Sequence, residues 1–312
     1  MADYVIKRLS QGLLLIVVVS MLVFAMMDMM PGDPVELLTD RKVSEEVKDR
    51  MRAQYGLDLP LYQRYIKWVR GALHGDFGTS LRSKLPVSAT FKQRLPVTIK
   101  LTGTALIIEL IIAVPIGLLA AYKKDSFFDR LMMGLSLLFA ALPSFWVAVL
   151  LILLFGVTLR MLPLSGFTSA KHYILPVTAI VLGGVASTMR MTKAEVIDVL
   201  RERYVLTAYA KGLTKRQVLV RHVLRNALIL VTIMFFLNIP WVISGAVIIE
   251  NIFVIPGMGK TLTEAILNQD FPVVQASVLL LSILTVVCNI ICDIITAILD
   301  PRILISMGGS SK

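Results

Sequence analysis

Apolar residues in this chain come in long unbroken runs rather than in the alternating or i, i+3, i+4 patterns of a water-soluble core. The first run, Leu9 to Met30, follows Lys7-Arg8. Five more, about Thr98–Tyr122, Leu131–Thr158, Ile174–Met191, Leu224–Ile249 and Val273–Leu299, are each long enough to cross ~30 Å of hydrocarbon as a helix. The pattern predicts an all-α integral membrane protein of six transmembrane helices with both termini on one side. The first run has the charged start and greasy centre of a signal peptide, but it is too long and "FAMMDMMPGDP" offers no A-x-A-like cleavage site, so it is expected to remain as the first span.

Three segments divide the chain: residues 1–30 with the first span, a long connection at 31–97, and a core at 98–312 that holds the other five spans and a basic loop at 190–225. Within the long connection, Pro60 is expected to start a short amphipathic helix. Tyr65, Trp68, Val69, Ala72 and Leu73 would share one face and Arg64, Lys67 and Arg70 the other. Such a helix would lie on the membrane surface or on the protein's own spans. "HGDFGTSL", His74 to Leu81, reads as a glycine-bounded turn. Pro115, Pro143, Pro176 and Pro240 fall in or beside spans, where each removes a backbone donor and either kinks a packed helix or bends one around a pathway.

Composition agrees with the pattern: 56% of the 312 residues are hydrophobic, 17% are charged, and the mean hydropathy is +0.78. The formal charge of +11 could suggest nucleic acid, but in so apolar a chain the position of each cation carries more meaning than the total. Lys123, Lys124 and Arg130 crowd the second loop, and nine basic residues lie between Arg190 and Arg225, whereas the third loop has only Arg160 and Lys171 and the fifth Lys260. The positive-inside rule then places loops two and four, and both termini, in the cytoplasm. The first loop carries twelve Lys and Arg yet must face outward, which its length permits.

The fourth loop has internal organisation. Thr192 and Glu195 form a T-x-x-E capping box predicted to start a helix, Gly212 is expected to stop it after Lys211, and Thr214 with Gln217 makes a second box that starts a helix running into the fifth span. Two capped helices about a glycine corner suit a lever for a partner protein better than a linker. The small residues Ala208, Ala210 and Gly212 are expected to allow that partner close approach. Topological anchoring and lipid-headgroup contact are the simpler use of the same charges.

"RYVLTAYAKG" at Arg203 to Gly212 followed by "RHVLRNAL" at Arg221 to Leu228 resembles the permease signature of binding-protein-dependent ABC importers, in their peptide/nickel branch. The resemblance extends over nearly the whole chain: "PGDP" at 31–34, "GDFGTS" at 75–80, "ALPSFW" at 141–146, "IENIFVIPGMGK" at 249–260, "DFPVVQA" at 270–276 and "LDPRI" at 299–303. It implies a type I ABC importer permease fold whose cytoplasmic coupling helix seats in a groove of an ATPase. The matching residues are Tyr204, Ala208, Ala210, Lys211, Gly212, His222 and Asn226. Where the general importer pattern has Glu-Ala-Ala, this chain has Leu206-Thr207-Ala208, a departure usual in the peptide branch. The implied partners are a second, homologous permease subunit, two ABC ATPase subunits, an extracytoplasmic solute-binding protein and membrane lipid, with no nucleic acid and no cofactor. The implied location is the bacterial cytoplasmic (inner) membrane, and the implied solutes are dipeptides, oligopeptides or a nickel chelate.

The remaining candidates for chemistry are weak. "PGMGKTL" contains Gly-Lys-Thr, but the phosphate-binding loop G-x-x-x-x-G-K-[ST] needs glycine where Val254 stands, so an outward turn is expected there. His74, His172 and His222 are far apart, and no Ser-His-Asp or Cys-His arrangement or H-E-x-x-H motif occurs, so neither a metal site nor an enzyme is expected. Cys288 and Cys292 lie in an apolar run and read as small buried side chains. Glu109 and Asn238 are polar groups within spans, each a candidate for pathway lining, with structural pairing the other use for Glu109; Asp293, in the sixth span, reads as structural. A self-contained ion-coupled carrier is the rival class, but it would be expected to show an inverted repeat or clustered midplane acids, and neither is evident.

Overall fold

A computed structural model describes residues 2–29, 35, 44–55 and 58–299. The motifs at 31–34 and, beyond Leu299, 300–303 lie outside these residues. The described chain is helical: α1 (Ala2–Asp28), α2 (Glu45–Tyr55), α3 (Leu61–Leu73), α4 (Val87–Tyr122), α5 (Phe127–Ala141), α6 (Ser144–Leu151), α7 (Ala170–Leu200), α8 (Arg203–Ala210), α9 (Lys215–Val218), α10 (Leu224–Ile252), α11 (Met258–Leu267) and α12 (Phe271–Leu299). Short π-helical stretches follow α6 at Ile152–Thr158 and precede α10 at Leu219–Val223.

Five helices are long and apolar enough to cross a membrane, and α5 with the α6 segment makes a sixth candidate if the pair is one span. That pair stands where one span was expected over Leu131–Thr158, broken at Pro143, one of the prolines expected to bend a helix. It is bent by 102°. Leu142 is extended there, with ψ 127°, and Pro143 caps α6, so the proline without a donor stands where the helix has already ended. Pro176 and Pro240, by contrast, sit inside helices that continue through them. The 36 residues of α4 and the 31 of α7 span about 54 and 46 Å at 1.5 Å per residue, so both extend well past the hydrocarbon.

The chain forms two compact units. One comprises Ala2–Val97 and Pro256–Val287. Its core gathers Met27, Val87, Phe91, Met258, Ala265 and Phe271. Here α3 packs on the first span: the Tyr65 ring meets Phe24 edge-on at 5.5 Å, its hydroxyl lies 2.8 Å from Ser20 Oγ, and Trp68 stands 6.1 Å from Phe24. Leu73, expected on that face, is exposed instead at the end of the helix. The turn beyond it holds Gly75 and Gly78 at φ +79° and +82°, and the Asp76 carboxylate accepts the Gly78 amide at 2.9 Å. Asp270, one residue before α12, accepts the Ser80 hydroxyl at 2.5 Å and the Leu81 amide at 3.0 Å, so "GDFGTS" and "DFPVVQA" meet in space.

The other unit comprises Thr98–Ile255 and the chain from Cys288 onward. Its helices are tied by buried polar links. Thr98 on α4 donates to Glu250 on α10 at 2.5 Å, Thr188 on α7 donates to Glu109 on α4 at 2.6 Å, and Lys193 on α7 pairs with Asp129 on α5 at 2.5 Å. Cys288 and Cys292 form no disulfide among the described residues, and Cys292 is buried against the Ile233 carbonyl at 3.7 Å.

Helices α4 and α7 also approach closely where α4 presents a glycine. A Cβ on Gly117 would lie 2.6 Å from the Met189 carbonyl oxygen and 2.7 Å from Thr192 Cβ, whereas one on Gly103 would meet nothing within 4 Å. Gly117→Ala is therefore expected to destabilise the detergent-solubilised protein by about 1–3 kcal/mol through overpacking. Gly103→Ala should melt no lower than the parent in the same thermal unfolding measurement, and equal melting of the two variants would contradict this close contact.

Candidate functional site

The basic segment between α7 and α10 is built from the end of a span outward. Thr192 does not start a helix as expected: α7 runs unbroken from Ala170 to Leu200, and the buried Thr192 hydroxyl donates to the Thr188 carbonyl four residues back at 2.7 Å. The break comes at Arg201-Glu202, after which α8 runs for eight residues. Gly212 then turns the chain at φ +78°, a backbone conformation that glycine adopts without steric cost. The second capping box is present, with the Thr214 amide donating to Gln217 Oε1 at 2.9 Å and the Gln217 amide to Thr214 Oγ1 at 3.4 Å.

Helix α8 buries one face. Val205 and Ala208 are buried in a cluster with Ala121, Val196, Val218, Val223 and Ala227, which come from the ends of α4 and α7 and from α9 through α10. Tyr204 and Tyr209 flank that face on opposite edges, and Leu206, 63% exposed, points away from it. Ala208 thus corrects the expectation that its small size serves a partner's approach, because its methyl packs inward on its own chain. Ala210, Lys211 and Gly212 remain at the exposed corner. The Asn226 amide on α10 donates to the Tyr204 hydroxyl at 2.7 Å and to the His222 carbonyl at 3.0 Å. Three of the seven signature residues, Tyr204, Ala208 and Asn226, therefore fasten α8 to α10, the His222 carbonyl accepts Asn226 within the stretch that leads into α10, and Ala210, Lys211 and Gly212 form the corner itself.

A second feature lies among α6, α7 and α10. Ile180, Gly183, Gly184 and Ser187 recur on one stripe of α7, and Asn238, Trp241, Val242, Gly245 and Ile249 on one stripe of α10; with Ser144 they line a cavity of about 240 Å³. Asn238 is half-buried at its wall. Glu109 is not among the lining residues. Its carboxylate is fully buried, with Oε1 held by Thr188 and Oε2 without a hydrogen-bond partner among the described residues. A Cβ on Gly184 would fall on that carboxylate, so Glu109 occupies the room the glycine leaves.

Two acids with structural links, Glu250 and Asp129, escaped sequence reasoning. Both stand near the ends of apolar runs, where an acid reads as part of a loop. The only signal was a threonine or lysine at the matching depth of another span.

"PGMGKTL" opens α11 rather than forming the expected turn: Gly257 is its N-terminal cap and Lys260 lies 3.5 Å from Glu264 within the helix. Among the described residues, no three His, Cys, Asp or Glu side chains gather as metal ligands.

A family model described as "Binding-protein-dependent transport system inner membrane component" matches residues 113–305, and a companion model for the N-terminal part of such membrane components matches residues 1–102. The chain is 37% identical to the oligopeptide transport system permease protein AppB of Bacillus subtilis and 34% identical to the dipeptide transport system permease protein DppB of Escherichia coli, in each case over 97% of this chain and 99% of the relative. It is a multi-pass inner membrane protein of the type I ABC permease fold, and it belongs to the inner membrane component family of binding-protein-dependent transport systems.

Proposed function

We propose that this chain forms one half of the translocation pathway of an ATP-driven importer of dipeptides and oligopeptides, and that α8 with the Gly212 corner is the seat of its ATPase. The observation that carries the coupling role is the seating of α8. Its inner side is locked against α4, α7 and α10, and away from that side it presents Leu206, Tyr209 and Ala210 within the basic connection at 190–225. An exposed apolar helix face on a rigid base suits a protein groove, and a partner pressing on it would move two long spans together. The peptide assignment rests on the names of the two relatives and on the length over which the chain matches them.

In this reading the complex contains a second, homologous permease, two ATPase subunits and an extracytoplasmic solute-binding protein. Both termini and the 190–225 loop face the cytoplasm, residues 31–97 lie outside, and residues 98–312 form the permease core. Tyr204, Ala208 and Asn226 hold the coupling element in place, Ala210, Lys211 and Gly212 shape its corner, and His222, half-buried beside it, completes the ATPase contact. Asn238 lines the pathway. Glu109 acts from behind it by fixing α7 against α4. The chain moves solute by rearrangement of its spans and performs no covalent chemistry.

Sidedness is tested with single cysteines in a background lacking Cys288 and Cys292. Leu267, 78% exposed in α11, and Gly212, exposed at the corner, are suitable positions. An impermeant thiol reagent should label the cysteine at 267 and not the one at 212 in intact cells; the reverse pattern would overturn the orientation.

For the coupling role, Leu206→Asp should leave the chain in the membrane at parental level while peptide uptake falls roughly tenfold or more, as for loss of an interface anchor. Gly212→Val, strained by about 1–2 kcal/mol at positive φ, should reduce uptake and transport-linked ATP hydrolysis together. Undiminished uptake of a labelled dipeptide by both variants would refute the assignment.

A further inference from the structure

The cavity between α7 and α10 is notable for what its walls omit. Three of the ten residues around it are glycine, on two different helices, and glycine weakens a helix interior relative to alanine. Gly184 has a packing reason, because Glu109 fills its place on the far side. Gly183 and Gly245 have none: a Cβ on either would meet nothing within 4 Å. Their missing side chains serve the open space rather than any neighbour.

The other lining groups match a peptide. The Asn238 side chain offers both a donor and an acceptor, and Ser144 and Ser187 add hydroxyls at the rim. The indole of Trp241, 78% exposed, supplies a large flat apolar surface. Among the described residues, no charged one lines the cavity. At about 240 Å³ it falls below the roughly 300–1,000 Å³ typical of pockets that enclose a whole small ligand. It has room for one side chain with its adjoining peptide group.

We propose that this cavity receives one neutral side chain of the peptide in transit, with Asn238 on the peptide group, Trp241 against the side chain, and Gly183 and Gly245 setting the largest side chain that passes. The proposal rests on the peptide-importer reading above and adds a size limit within the permease itself, separate from selection by the binding protein. Small residues on two facing helices give breadth: a wall without side chains accepts many residues, and polar contact is confined to the peptide group, which all peptides share.

The test is a graded series, Gly183→Ala, Gly183→Val, Gly245→Ala and Gly245→Val, in the complete transporter expressed in cells without other peptide importers. Gly134→Val on α5 serves as control, since its Cβ also meets nothing within 4 Å and it lies outside the cavity. Maximal uptake rates of dialanine and diphenylalanine are compared at saturating peptide, so that loading of the binding protein does not enter. Diphenylalanine uptake should fall stepwise from Gly to Ala to Val, by roughly tenfold or more at Val, while dialanine uptake stays near the parental rate. The control should change neither. If the valine variants do not reach the membrane, the alanine variants decide by the same ratio. Variants that transport both peptides as the parent does, or that lose both in equal proportion at normal membrane level, overturn the pocket and leave the peptide assignment standing. A parental transporter that imports neither peptide refutes the peptide assignment itself, and with it this ligand.

Discussion

Hydrocarbon supplies no hydrogen bonds, so a carboxylate within a span must find its partner on another helix or face a cavity. In the larger unit that constraint organises the helices. Glu109 takes the Thr188 hydroxyl within the spans, and near the span ends Glu250 takes the Thr98 hydroxyl and Asp129 the Lys193 ammonium; each pair joins two different helices. Polar links across membrane helices are worth about 0.6–2 kcal/mol each, modest as stabilisation. Their greater effect is on specificity, because a slip of one helix along another would leave a buried acid unpaired at a cost of several kcal/mol. The links involve α4 with α10, α4 with α7, and α5 with α7, so they fix the register of four helices at once.

That fixed register gives the α8 segment its base. α7 leaves the last of these links at Lys193 and continues as helix to Leu200, with Val196 buried beneath α8. α10 begins beside it, tied by the Asn226 to Tyr204 bond. A force on α8 is therefore delivered to two helices already registered against α4. In the proposed coupling role this is a mechanical requirement, since an element on a loose loop would absorb the motion of an ATPase without moving a span.

Much of this was legible in the sequence and some of it was not, for physical reasons visible at single residues. Spans are legible because twenty apolar residues in a row have few other uses, and the Gly212 corner and the Thr214 to Gln217 box were readable because local backbone chemistry decides them. The Thr192 box misled because a threonine hydroxyl satisfies itself equally well on the carbonyl four residues back, and which option wins depends on whether the upstream residues are already helical. The orientation of Ala208 was illegible because Tyr204, Leu206 and Tyr209 surround its eight-residue helix with apolar side chains and blur the one face that Val205 and Ala208 bury. The partners of Glu250 and Asp129 lie 152 and 64 residues away, beyond any local pattern.

The glycines of α7 show how the two demands on a permease, a fixed bundle and an accommodating path, are met in adjacent residues. Gly184 belongs to the bundle: the Glu109 carboxylate stands where its side chain would be, so any larger residue there displaces a buried acid from its threonine. Gly183, one position along and turned by about 100° on the helix, faces open space and is free of that duty. A change of solute range through Gly184 would thus be coupled to loss of the α4 to α7 register, whereas a change through Gly183 or Gly245 would not. If related permeases differ in the peptides they pass, the variation compatible with an intact fold is at the latter two positions.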